Sequence, residues 1–173
     1  YTLWHTLSLH DALPISMLTQ MAYGAIEMRN YHDLDVLVAE TDFFRARDLL
    51  VARGYRPQFD LKSGQKTAFF QSQNELTLFA SRHSIDLHWQ LLRGFFVGGL
   101  SLKNFAANLI PFELEQAALP CFSPETTLLI LSIHGGKHLW QQLLWVCDLA
   151  HLLEATPINW EQVFAQAQFF HVE

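Results

Sequence analysis

The spacing of apolar residues mixes strand alternation with helical rhythm up to Gly98-Gly99 and is helical beyond it. Met17 to Tyr23 reads as the last turns of a helix closed by Gly24, since glycine readily takes the left-handed conformation that follows a final turn. Asp33-Leu34-Asp35-Val36-Leu37-Val38 alternates at its start and is β-branched at its end, which predicts a strand. Thr41 is then placed to cap a helix over Asp42 to Arg53, with most of Phe43, Phe44, Leu49 and Leu50 buried and Gly54 closing it. Three extended segments are expected next, Thr67 to Gln71, Glu75 to Ala80 and Ser84 to Trp89. Polar turns such as Ser72-Gln73-Asn74 separate them, and links this short favour antiparallel pairing.

Beyond Gly98-Gly99 the β-branched residues thin out. Leu128 to His138, Gln141 to Glu154 and Trp160 to Phe170 all carry helical periodicity. Ser123-Pro124-Glu125 opens the first of these with an N-cap and a proline at the first helical position, and Asn159 caps the last. No internal repeat or low-complexity tract interrupts the chain. The pattern predicts an α+β unit over residues 17–98 followed by a helical subdomain over 99–173.

With half of its 173 residues apolar, the chain has ample material for a core. A net charge of −6 with scattered Lys and Arg argues against nucleic acid as partner, because a duplex is gripped by a clustered basic face. Apolar runs such as Leu128 to Leu131 fall far short of a bilayer span, so no membrane partner is expected. Two cysteines, Cys121 and Cys147, are too few for a disulfide framework, which points to a reducing cytoplasmic setting.

The two ends stand apart from this pattern. Thr6-Leu7-Ser8-Leu9-His10-Asp11-Ala12-Leu13-Pro14-Ile15 resembles the translation of a common sequencing-library adapter, so residues 1–16 are expected to be an adapter-derived artefact. His5, His10 and Asp11 are accordingly set aside as site candidates. Phe164 to Glu173 stops within an apolar helical pattern without a capping residue, which suggests truncation at that end too.

The chemistry centres on carboxylates. Alternate residues of a strand share a face, so Asp33 and Asp35 project together while Leu34 and Val36 turn to the core. Ser84-Ile85-Asp86-Leu87-His88-Trp89 repeats the pattern, with Asp86 and His88 on one face. Like charges so close repel and call for a compensating cation, and Mg²⁺ or Mn²⁺ held by carboxylate oxygens and substrate phosphates is the natural one. A third carboxylate from a neighbouring strand would complete a cradle for one or two such ions. By spacing alone, Asp-x-Asp usually marks a solvated strand end.

The run Met28-Arg29-Asn30-Tyr31-His32-Asp33-Leu34-Asp35-Val36-Leu37-Val38 is followed by Gly54-Tyr55 and by Ile85-Asp86-Leu87-His88-Trp89. His134-Gly135-Gly136-Lys137-His138 and Trp145-Val146-Cys147-Asp148-Leu149-Ala150 come next. In order and spacing, from Met17 onward, these resemble an uncharacterised bacterial nucleotidyltransferase family of the NTP-transferase family 5 type, related to the polymerase-β-type superfamily. The resemblance implies a mixed β-sheet flanked by helices and a metal-bound nucleoside triphosphate. It also implies transfer of a nucleotidyl group to an acceptor hydroxyl. It maps Asp33 and Asp35 onto the metal-binding pair and Asp86 onto the third carboxylate. A Lys-Gly pair of the phosphate-binding segment is expected just ahead of Met17, where this chain has Pro14-Ile15-Ser16.

Other residues have two readings each. Arg29 and Lys137 are candidates to meet substrate phosphate as cations; the alternatives are a surface arginine beside an acidic strand and a lysine that hydrogen-bonds with the histidines across the helix pair. His88 is placed to orient Asp86, or is simply a satisfied histidine within the sheet. His134 and His138 lie one helical turn apart, with Asp148 and His151 beyond, from which a zinc or iron site for a phosphohydrolase can be drawn. Gly135-Gly136 weakens that helix and no zinc-protease spacing is present, so a structural or substrate-facing role is favoured. Trp140 and Trp145 read as packing. The competing class is a non-catalytic nucleotide- or protein-binding module with the same fold.

Overall fold

The computed structural model describes residues 14–25, 28, 33–61, 63–81, 83–92, 100–105, 109–114 and 117–172. In chain order the main elements are α1 (Pro14–Tyr23), β1 (Asp33–Leu37), α2 (Phe43–Ala52), β2 (Arg56–Pro57), α3 (Lys66–Ser72), β3 (Glu75–Phe79) and β4 (Ser84–His88). There follow β5 (Gln90–Leu92), β6 (Leu100–Ser101), α4 (Leu102–Phe105), β7 (Leu109–Leu114), β8 (Ala117–Phe122), α5 (Pro124–Lys137), α6 (Leu143–Ala155) and α7 (Trp160–Phe170). The chain forms two compact units, Tyr1–Ala12 with His32–Ala106, and Leu13–Tyr31 with Ala107–Glu173. The sequence pattern marks one boundary, after residue 98. Among the described residues the units change over between Met28 and Asp33 as well as between Phe105 and Leu109, because α1 packs with the later helices.

In the first unit a mixed sheet runs in the order β1-β4-β3-β2, with β1 parallel to β4 and the other pairs antiparallel. Alternation decides its two faces. Val36, Leu76, Leu78, Ile85 and Leu87 are buried on one, while Asp33, Asp35, Asp86, His88, Thr77 and Glu75 fall on the other. Trp89, just past β4, is buried beside Phe43, Phe69 and Phe70, with ring centroids 4.8 Å apart in each case. These rings seat α2, which buries Phe43, Ala46 and Leu50 and leaves Phe44 and Leu49 half-buried.

Two local expectations are corrected in this unit. Thr41 does not cap α2: it lies in a short 3-10 turn, Glu40–Asp42, and Asp42 occupies the cap position without a side-chain hydrogen bond. Thr67 to Gln71 is helix α3, not a strand. Phe69 and its neighbour Phe70 both pack on Phe43 and Trp89. On a helix successive side chains turn by only about 100°, so both can lean on one core, whereas strand alternation would send one of them outward. The fourth strand of the sheet is instead the two-residue β2, on the edge, where Pro57 lacks no hydrogen bond it needs.

The second unit gathers α1, α5, α6 and α7 round Leu18, Ala22, Leu128, Leu152 and Val163. Both expected caps form. The Ser123 hydroxyl accepts from the Thr126 N–H at 3.3 Å, and Asn159 Oδ1 from the Gln162 N–H at 3.2 Å. The antiparallel ribbon β7–β8 was hidden in the sequence, because Pro111 and Pro120 sit opposite each other in it and few residues are β-branched. A two-stranded ribbon tolerates proline since each strand is an edge. Helix α7 does carry a cap. His171 is left-handed (φ 56°), its N–H bonds Gln168 O at 3.1 Å and the Val172 N–H bonds Ala167 O at 3.0 Å, a Schellman closure. No helix among the described residues is long and apolar enough to cross a membrane.

Candidate active site

The parallel register of β1 and β4 sets Asp35 directly beside Asp86, and Asp33 beside Ser84. Two of the three expected carboxylates therefore stand on adjacent strands at the same level. Asp33 lies one alternation back towards the start of β1, on the same face and exposed. Asp86 Oδ1 is buried and has no hydrogen-bond partner among the described residues, a costly state for a carboxylate oxygen. Among the described residues no group of three His, Cys, Asp or Glu is arranged to hold a metal ion; what the register brings level is the pair Asp35 and Asp86.

His88 contributes what the sequence did not reveal. Its contact is with Asp35, not with Asp86 on its own strand: Nε2 donates to Asp35 Oδ1 at 2.7 Å. The far side of the ring faces β3, where Glu75 pairs in register with His88 and brings Oε2 to 3.2 Å from Nδ1. That second approach attracts but is out of line for a hydrogen bond, since Nδ1 has no such partner. The side chain is only 11 % exposed. Burial pulls the His88 pKa down. The Asp35 hydrogen bond and the negative charges of Asp35, Glu75 and Asp86 outweigh it, leaving the pKa raised above the ordinary 6.5. Glu75 went unnoticed in the sequence because nothing in a lone glutamate at the start of a strand signals its partner across the sheet.

The remaining candidates belong to the second unit or fall outside the described residues. Arg29 falls outside the described residues. Lys137 is the last residue of α5, exposed, in the second unit. There, the His134 and His138 rings meet at a tilt with centroids 4.7 Å apart, and both lie against Trp145, at 5.0 and 5.5 Å. The fully buried Asp148 accepts a 2.8 Å hydrogen bond from the Tyr23 hydroxyl, and the Tyr23 ring rests on His151. Trp140 folds back onto Gly135 through a turn in which both Leu139 and Trp140 are left-handed (φ 53°). The histidines are thus taken up by aromatic packing.

Known structures share this fold. The antibiotic-resistance factor ANT(2'')-Ia in solution aligns with a TM-score of 0.66 at 8 % identity, over 98 % of this chain and 86 % of its own. The crystal structure of ANT(2")-Ia with adenylyl-2"-tobramycin gives the same score and identity over 98 % and 91 %. The lincomycin-bound lincosamide antibiotic adenylyltransferase LnuA aligns at 0.61 and 16 %, over 90 % of this chain and 92 % of its own. No curated protein sequence matches the chain. The model of the family described as uncharacterised nucleotidyltransferase matches residues 16–173, nearly the whole chain with both carboxylate strands inside it, and to that nucleotidyltransferase family this protein belongs.

Proposed function

We propose that this protein transfers a nucleotidyl group from a nucleoside triphosphate to an acceptor hydroxyl, with Mg²⁺ or Mn²⁺ held by Asp35 and Asp86 and completed by Asp33. The observation that carries this is the side-by-side placement of Asp35 and Asp86, with Asp86 Oδ1 buried and lacking a partner. A divalent cation bound there supplies charge neutralisation for the triphosphate. Asp86 is suited to take the proton of the acceptor hydroxyl as its oxygen bonds to the α-phosphorus and the bond to pyrophosphate breaks. Arg29 and Lys137 are the proposed phosphate cations. The two solved neighbours act on small antibiotics, tobramycin and lincosamides, and a small hydroxyl-bearing molecule suits a net charge of −6 better than nucleic acid does. The unpaired Cys121 and Cys147 fit a cytoplasmic enzyme.

Calorimetric titration with ATP, GTP, CTP and UTP, with and without Mg²⁺, tests this reading. Binding that requires the metal and is lost in Asp35→Asn is the expected result; metal-independent binding unaffected by that substitution would refute it. A second reading, nucleotide binding without chemistry, is favoured by Pro14-Ile15-Ser16 standing where a Lys-Gly phosphate-binding pair is expected. It predicts the same titration but no pyrophosphate release with any acceptor.

A further inference from the structure

Three acidic side chains, on three adjacent strands, surround one imidazole. His88 of β4 touches Asp35 of β1 through Nε2 at 2.7 Å and approaches Glu75 of β3 through Nδ1 at 3.2 Å, while Asp86 sits two residues back on its own strand. An ionised carboxylate only accepts, so the proton in the short contact belongs to Nε2, and Asp35 Oδ1 is committed to it. Asp35 makes no other hydrogen bond among the described residues. Its second oxygen makes no hydrogen bond among the described residues, and the register sets the Asp35 and Asp86 side chains on one face of the sheet. With Asp35 and Asp86 in register, an Asp35 side chain released from His88 would turn away from its like-charged neighbour.

We propose that His88 is the positioning residue of the acidic centre: braced by Glu75, it holds Asp35 by one oxygen so that the other, with the unpartnered Oδ1 of Asp86, forms a ready divalent-cation seat. The inference rests on the metal-centre reading above. His88 itself touches neither the cation nor the substrate; it acts by fixing where Asp35 points. Residues that orient a metal ligand in this way typically account for 10–100-fold in metal affinity.

Mn²⁺ binding to the whole chain, followed by electron paramagnetic resonance without nucleotide, tests it, with circular-dichroism melts to confirm folding. Asp35→Asn is expected to abolish binding, and His88→Leu to weaken it by about 10–100-fold. His88→Gln places an amide N–H near the position of Nε2 and should recover affinity to within a few-fold. His88→Asn reaches only as far as Nδ1 and should not. Glu75→Gln removes the brace's charge and should weaken binding by a few-fold. A folded His88→Leu that binds Mn²⁺ like wild type, while Asp35→Asn does not, overturns this inference and leaves the metal centre standing. Wild-type protein that binds no Mn²⁺ overturns both. Should His88→Leu fail to fold, equal affinities for His88→Gln and His88→Asn overturn the positioning role.

Discussion

Adjacent glycines in α5 should respond to alanine with opposite signs. Gly135 is buried, and a Cβ built on it would lie 2.3 Å from Trp140 Cζ3 and 2.5 Å from two further ring atoms; at Gly136 nothing comes within 4 Å. Alanine at Gly136 removes only the backbone freedom of glycine, a gain of about 0.5–1 kcal/mol in a helix. At Gly135 the same gain is set against displacement of the indole. Trp140 is 38 % exposed, so roughly 120 Å² of a ~200 Å² side chain is covered, and losing all of it would cost at most about 3 kcal/mol. Relaxation of the ring along Gly135 keeps part of that contact. The net result for Gly135→Ala is a loss of about 1–2 kcal/mol, and the two variants should differ by about 1.5–3 kcal/mol. Urea unfolding followed by tryptophan fluorescence and circular dichroism measures both. Adding Trp140→Ala should remove the penalty at Gly135, because the two sites are in contact. If Gly135→Ala is as stable as Gly136→Ala, the indole is not seated on Gly135, and the left-handed turn at Leu139 and Trp140 needs another cause.

In metal-free protein, His88 should hold its proton above pH 6.5, since Asp35, Glu75 and Asp86 outweigh burial. A native pKa above the unfolded one gives stability that is fully present below about 6.5 and lost as pH rises through the native value. The stability gap between wild type and His88→Gln should therefore shrink on raising the pH across that window, and a gap that widens would contradict the ring's surroundings. Tyr23→Phe deletes a 2.8 Å hydrogen bond to a fully buried carboxylate. It should lower stability by about 1.5–3 kcal/mol, seen as a lower urea midpoint at unchanged slope; an unmoved midpoint would mean that Asp148 does not depend on Tyr23.

Legibility in the sequence followed the physical range of each signal. Strands β1 and β4 and helices α5 and α7 were readable because their alternation or periodicity and their caps are local, and Ser123 and Asn159 do what their residue types favour. The face shared by Asp33 and Asp35 followed from strand geometry alone. That Asp35 meets Asp86 level with it depends on a parallel register between residues far apart in sequence, which spacing does not encode. The same holds for His88, whose own-strand neighbour Asp86 was the visible partner and whose actual one lies across the ladder. Helix α3 was misread because Phe69 and Phe70 favour strands in general but answer here to Trp89 and Phe43. The β7–β8 ribbon was missed because proline is a breaker only where a strand has neighbours on both sides.

The placement of α1 has a consequence for how this chain comes to be folded. Tyr23 bonds a residue 125 positions further along, and the apolar face of α1 around Leu18 and Ala22 has its partners Leu128, Leu152 and Val163 at a similar distance. On the ribosome, α1 must wait with that face uncovered until most of the chain has emerged, and closing so long a loop costs about 4 kcal/mol before any contact rewards it. The segment from His32 to Ala106 is in effect an insertion within its host, complete in sequence before the host can close. Protein made from residue 99 onward would lack the strand-preceding helix that fills its core, whereas a circular permutant that joins α1 directly behind α7 would turn that long wait into a short one.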